Sequence, residues 1–131
     1  MTNPNIIDRV ETKDAPPPFG HYVQASGYKD LVFVSGQLAA NPDGSSNADA
    51  PFGAQTKRAL DNILAIVRAA GSAPDKVVKV TAYIVGVEHW PEFNEVYAEA
   101  LGEIKPARAV VPVPALHNGY LIELEAVAIR T

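Results

Sequence analysis

Two acids and one arginine near the carboxyl end stand out for the residues that surround them. The stretch Leu121-Ile122-Glu123-Leu124-Glu125-Ala126-Val127-Ala128-Ile129 alternates strictly. As a strand it sorts Ile122, Leu124, Ala126 and Ala128 onto one face and Leu121, Glu123, Glu125, Val127 and Ile129 onto the other. The first face suits packing beneath helices. The second mixes two carboxylates with large aliphatic side chains, too apolar for open water and too charged for an ordinary core. A partner subunit covering that face would leave a small polar cavity around a carboxylate. The plainer alternative is that both acids face solvent, as acids on strands usually do.

Arg108 poses the matching question. It sits in Pro106-Ala107-Arg108-Ala109-Val110-Val111-Pro112, with no charged neighbour for two residues on either side. A guanidinium there needs an anion. It could pair across the sheet with Glu123 or Glu125, the reading slightly favoured by sequence alone, or its planar fork could take a substrate carboxylate through two parallel hydrogen bonds.

Composition narrows the chemistry. The chain has 131 residues, 47% of them hydrophobic and 20% charged, which suits one globular domain over 1–131. A formal charge of −4 and the lack of a Lys/Arg run argue against a nucleic-acid surface and disfavour RNA cleavage. With no cysteine, thiolate nucleophiles, disulfides and cysteine zinc sites are excluded. His21, His89 and His117 lack ligand spacing, so no metal is expected. The segment Met1 to Asp14 is charged throughout, so neither a signal peptide nor a membrane span is expected there, and the cytoplasm is the default location.

These residues must be held by a scaffold, and its elements are readable. Short strands are expected at Ile6–Val10 and Tyr22–Ser26, on either side of the extended Ala15-Pro16-Pro17-Pro18. Leu31–Ser35 is β-branched and apolar, with a sharp turn expected at Ser35-Gly36-Gln37 and a surface turn at Asn41–Ser46. From Pro51 to Ala70, the residues Leu60, Ile63, Leu64, Val67 and Ala70 recur at helical spacing, and Gly71 stands where the helix should end. Val77–Val85 is a long β-branched run. Phe93, Val96, Tyr97, Ala100 and Leu101 mark a second helix, with Pro91 in its first turn and Gly102 at its end. Ala107–Val113 and Leu121–Ile129 close the chain as strands. The order predicts an α+β fold, two helices covering one face of a mixed sheet.

Taken in order, Gly20-His21-Tyr22-Val23-Gln24-Ala25, Val32-Phe33-Val34-Ser35-Gly36-Gln37, Gln55-Thr56 with Leu60-Asp61-Asn62-Ile63, Ala69-Ala70-Gly71, Val77-Val78-Lys79-Val80-Thr81, Phe93-Asn94 with Tyr97, Pro106-Ala107-Arg108 and Ile122–Ala128 span nearly the whole chain. Together they resemble the RidA/YjgF (L-PSP) reactive-intermediate deaminases. The resemblance implies a chorismate-mutase-like fold and a homotrimer with clefts between neighbouring subunits. It implies hydrolysis of 2-aminoacrylate-type enamines and imines to 2-oxo acids and ammonia, without a cofactor. On this reading Arg108 binds the carboxylate of a small 2-imino or 2-oxo acid, Glu123 orients the water, and Tyr22 lends a hydroxyl. Ser35, Gly36 and Asn94 line the cleft, and Glu125 supports Glu123 or shares its role.

The chain also departs from the family pattern. Ala109 and Val110 stand where Ser and Cys often follow the arginine, His21 replaces a frequent proline, and Val85-Gly86-Val87 lacks an acid often found ahead of the second helix. These departures bear on substrate identity. Two other functions stay open: a carboxylate-binding trimer without turnover, and a deaminase dedicated to one pathway, acting for instance on an aminomuconate-like intermediate.

Overall fold

The β-branched runs pair into a six-stranded sheet. A computed structural model describes residues 6–131, so the expectation for the amino-terminal segment rests partly on residues 1–5, outside the described residues. The elements run β1 (Asp8–Val10), β2 (Ala25–Tyr28), β3 (Leu31–Gln37), α1 (Phe52–Ala69), β4 (Val77–Val85), α2 (Trp90–Leu101), β5 (Ala107–Val113) and β6 (Ile122–Ile129). Strand order is β1-β2-β3-β6-β4-β5. Every neighbouring pair is antiparallel except β4 with β5, whose parallel pairing requires a crossover, and α2 supplies it. The expected α+β architecture, a mixed sheet with two helices on one face, is present.

Burial follows the alternation read from β6. Ile122, Leu124, Ala126 and Ala128 are buried, whereas Glu123, Glu125, Val127 and Ile129 are half-buried in the single chain. Helix α1 buries Leu60, Ile63, Ile66 and Val67 against that face, and α2 adds Phe93, Tyr97 and Leu101. Each such side chain contributes roughly 1.5–3 kcal/mol when fully buried, which is enough to fix how both helices are turned. Gly71, at φ +86°, ends α1 in a conformation other residues resist, with Ser72 N–H donating to Val67 O at 3.1 Å.

Buried amide side chains tie the connections to this core. Asn62 donates from Nδ2 to Leu38 O and Ala40 O. Gln55 donates to Ala48 O and Ala50 O and accepts from Leu121 N–H. An unpaired buried carbonyl costs about 1–3 kcal/mol, so these two residues decide where the loop after β3 lies.

Two expected elements differ. The strand expected at Tyr22–Ser26 begins only at Ala25, because Tyr22 N–H bonds back to Gly20 O and Gln24 turns its side chain to the proline segment. The sharp turn expected at Ser35-Gly36-Gln37 is instead a β-bulge inside β3. Val34 pairs with Ala126 and Gln37 with Leu124, so three steps on β3 face two on β6.

Among the described residues, the opposite face of the sheet carries no helix. Tyr28, Leu31, Phe33 and Val111 are exposed there, beside Val127, Ile129, Glu123 and Glu125.

Candidate functional site

The acid half of the site is built on the bulge. Glu123 follows the bare-face alternation of β6, and the extra residue on β3 brings Ser35 and Gly36 beside it. A cavity of about 560 Å³ opens there, lined among others by Pro17, Phe19, Tyr22, Gly36, His117 and Glu123. Its outer wall is the proline segment, held by Gln24. That buried amide accepts from Thr12 N–H at 2.6 Å and donates to Pro16 O at 2.8 Å, with further bonds to the carbonyls of Thr12 and Ala15. Tyr22 closes the mouth, its hydroxyl accepting from Phe19 N–H at 3.1 Å. Ser35 Oγ donates to Val23 O at 2.6 Å, so this hydroxyl braces the wall.

The electrostatics of this half favour a proton acceptor. Burial pushes the Glu123 carboxyl above the ordinary glutamate range; His117 opposes that rise and the Glu125 carboxylate adds to it. Glu125 is engaged elsewhere, accepting a hydrogen bond from the Tyr83 hydroxyl. That bond, then burial, then the charges of Glu125 and Glu123, raise the Tyr83 pKa.

The arginine half lies on the other side of the sheet. In the parallel β4–β5 register Arg108 stands beside Val80, which in turn faces Ala126; both are buried under the helices. Arg108 therefore leaves the sheet on the helix side, at the β5 edge. Its Nη2 donates to Asn94 Oδ1 at 2.8 Å. The guanidinium carbon lies 5.1 Å from the ring centre of Tyr97, 5.5 Å from Phe93 and 5.8 Å from Trp90. Aromatic faces attract a cation without neutralising its hydrogen-bonding fork. Among the described residues the ion pairs are Lys57 with Asp61 and Arg130 with Asp8, so Arg108 has no acidic partner. The cross-sheet pair of Arg108 with Glu123 or Glu125 is thus overturned, because the acids project from the opposite face.

The structure accordingly sorts the expected site residues into two groups. Tyr22, Ser35, Gly36 and Glu123 come together, as do Asn94 and Arg108, and no single chain unites the groups. Trp90, Tyr97 and His117 were not expected to be site residues. Tyr97 read as part of an apolar helical stripe, yet among the described residues its buried hydroxyl has no hydrogen-bond partner, and it lies in the field of Arg108. His117 read as a loop residue, and only the fold brings it to Glu123. His89, expected at the entry of the second helix, stands there, stacked on Phe52 at 4.3 Å.

An anion receptor and a half-buried carboxyl with adjoining hydroxyls are the parts needed to hold a small acid and direct water at it. The comparisons give this fold a family. The family model described as Endoribonuclease L-PSP matches residues 12–130, and the chain belongs to this RidA/YjgF (L-PSP) family. A RutC family protein of Pyrococcus abyssi is 41% identical over 121 residues, covering 92% of this chain and 95% of that relative. The crystal structure of the YjgF gene product from E. coli superposes with a TM-score of 0.88 at 34% identity, covering 95% of this chain and 99% of that one. The E. coli TdcF structure with bound serine superposes with a TM-score of 0.89 at 34% identity, with the same coverage. No helix among the described residues is long and apolar enough to cross a membrane.

Proposed function

We propose that this protein hydrolyses reactive 2-enamine and 2-imine acids of the 2-aminoacrylate type to 2-oxo acids and ammonia, in clefts between the subunits of a homotrimer. The observation that carries the reading is Arg108: a guanidinium held by Asn94 and three aromatic rings, with no acid of its own among the described residues. Such a group is preorganised to receive a carboxylate. TdcF, similar over its whole length, has been seen with serine, itself a small amino acid.

The separation of the half-sites supports the assembly. Half-sites on opposite sides of one sheet meet through a head-to-tail contact, which makes a closed ring when its rotation closes, as a trimer's does. The bare apolar face around Phe33, Leu31 and Val127 gives neighbouring copies something to bury. In the cleft, Arg108 of one subunit anchors the substrate carboxylate and fixes the plane of the imine. Glu123 of the next subunit takes a proton from the water attacking the imine carbon, a task suited to a carboxyl whose pKa is raised by burial. Tyr22 orients the water or the nitrogen from the mouth of the cavity.

RNA cleavage, named in the family description, fits less well: a formal charge of −4 offers phosphates no basic surface. A trimer that binds 2-oxo acids without turnover is the other reading, since Ala109 and Val110 bring no polar group next to Arg108.

One assay decides between them. Imino acids generated in situ by a PLP-dependent lyase should disappear faster with the protein, and Arg108→Ala should abolish the acceleration. Binding of 2-oxo acids without acceleration on any short imino acid would favour the binding trimer.

A further inference from the structure

We propose that His117 is the proton relay of this cleft, protonating the imine nitrogen while Glu123 takes a proton from water. The inference rests on the deaminase reading above and assigns it a residue. Imine hydrolysis needs an acid for nitrogen as well as a base for water, and one carboxylate cannot serve both in the same step. His117 lines the same cavity as Glu123. Its positive charge acts on the Glu123 carboxyl, so the two groups are within electrostatic reach.

The fold holds His117 there deliberately. Leu116 is extended at φ −130°, then Asn118 and Gly119 adopt left-handed conformations at φ 59° and φ 77°. The turn is closed by Tyr120 N–H donating to His117 O at 3.2 Å. Tyr120 is buried, and its hydroxyl accepts from Asn47 N–H at 3.1 Å, which anchors the far end of the turn. A non-glycine residue in the left-handed region is uncommon and marks a constrained turn. Among the described residues, neither imidazole nitrogen of His117 is engaged in a hydrogen bond, whereas the Tyr22 hydroxyl is bonded to Phe19 N–H. Imidazole is the side-chain type that ordinarily gains and loses a proton between about pH 5 and 8. The ionisable groups that face His117 are Glu123 on β6 and Tyr22 ahead of β2, with Glu125 one alternation further along β6.

The cycle balances. Water oxygen bonds to the imine carbon, its proton passes to the Glu123 carboxylate, and the C=N electron pair moves to nitrogen. Nitrogen takes a proton from the His117 imidazolium, leaving a neutral carbinolamine. In the collapse Glu123 returns its proton to nitrogen and the C–N bond breaks, its pair leaving on ammonia. The hydroxyl proton passes to His117 as the carbonyl forms. One water is consumed, and both side chains end as they began.

The test compares the wild-type protein with His117→Asn and His117→Gln, measuring kcat and KM across about pH 5–9. Loss of a positioned acid predicts a fall in kcat of about 100-fold with little change in KM. It also predicts loss of the alkaline limb of the rate profile and partial recovery on adding imidazole. Wild-type kcat and an unchanged profile in both variants would overturn the inference, as would a loss confined to KM that imidazole does not restore. A wild-type protein inactive on every short imino acid would instead remove the deaminase reading and the relay with it.

Discussion

A Cβ at position 36 would lie 2.7 Å from Glu123 Oε2 and 3.0 Å from its carboxyl carbon, so the β3 bulge and the β6 acid touch only because residue 36 is glycine. The φ of Gly36 is not in the left-handed region, so alanine brings no backbone strain there. The flexible end of Glu123 can yield. Gly36→Ala should therefore fold normally, with a melting temperature close to wild type, while kcat falls about 10–100-fold as the carboxylate is pushed off the water it must hold. Circular dichroism melting alongside the imino-acid assay checks both halves. Full activity in Gly36→Ala would mean that Glu123 needs no fixed position.

Burial raises the Glu123 pKa in the folded protein, and this has a consequence for stability. Between the unfolded and folded pKa values the native state binds more protons, so stability falls as pH rises through that window and stays lower above it. Glu123→Gln should remove this loss. The variant should melt higher than wild type at neutral pH, and the difference should vanish below about pH 4, near the unfolded glutamate value. Activity should run the other way, with wild-type turnover failing as pH drops through a value above the ordinary glutamate range. A Glu123→Gln protein less stable than wild type at neutral pH would show that the carboxylate is well paired.

Gln24 braces the cavity wall with bonds to Thr12, Ala15 and Pro16. Gln24→Ala leaves buried carbonyls unpaired, and denaturant unfolding should register a loss of about 1–3 kcal/mol. Because the same segment carries Phe19 and leads to Tyr22, turnover should fall as well. A loss of stability without a loss of activity would separate the wall from the site.

Asp8 and Arg130 form a bidentate pair at 2.7 and 2.8 Å across the base of Gly27. The hydrogen bond from Arg130 is the main cause of a lowered Asp8 pKa, with the guanidinium charge assisting. This stabilisation is present above the unfolded aspartate pKa and lost as pH falls through the folded one. Asp8→Asn should cost no more than about 1 kcal/mol at neutral pH, as a partly exposed pair does, and nothing in strong acid. Urea unfolding at several pH values measures it.

Much of the fold was legible because periodicity reports burial directly. The stripe Leu60, Ile63, Val67 and the alternation from Ile122 to Ala128 name faces that the structure covers. The bulge at Ser35-Gly36 was not legible. Glycine after serine also suits a turn, and only the pairing with Leu124 to Ala126 on β6 makes the extra residue a bulge. Arg108 and Glu123 were legible as residues in need of partners, and the alternation of β6 named the face of Glu123; the side from which Arg108 leaves the sheet was not legible, since it depends on the β4–β5 register. His117 and Tyr97 escaped because neither spacing nor neighbours distinguish a loop histidine or a helical tyrosine from its structural equivalents. Proximity across 6 residues of turn and strand, or across two elements, exists only once the chain has folded.

Mixing subunits tests the central claim, a cleft completed by Arg108 of one chain and Glu123 of the next. Arg108→Ala and Glu123→Gln should each be inactive alone. Unfolded together in equal amounts and reassembled, they should recover activity in about one-quarter of the clefts, the share in which an intact arginine meets an intact glutamate in a head-to-tail ring. Recovery of that order is the predicted result. No activity above either parent, in mixed assemblies confirmed by mass spectrometry, would contradict it.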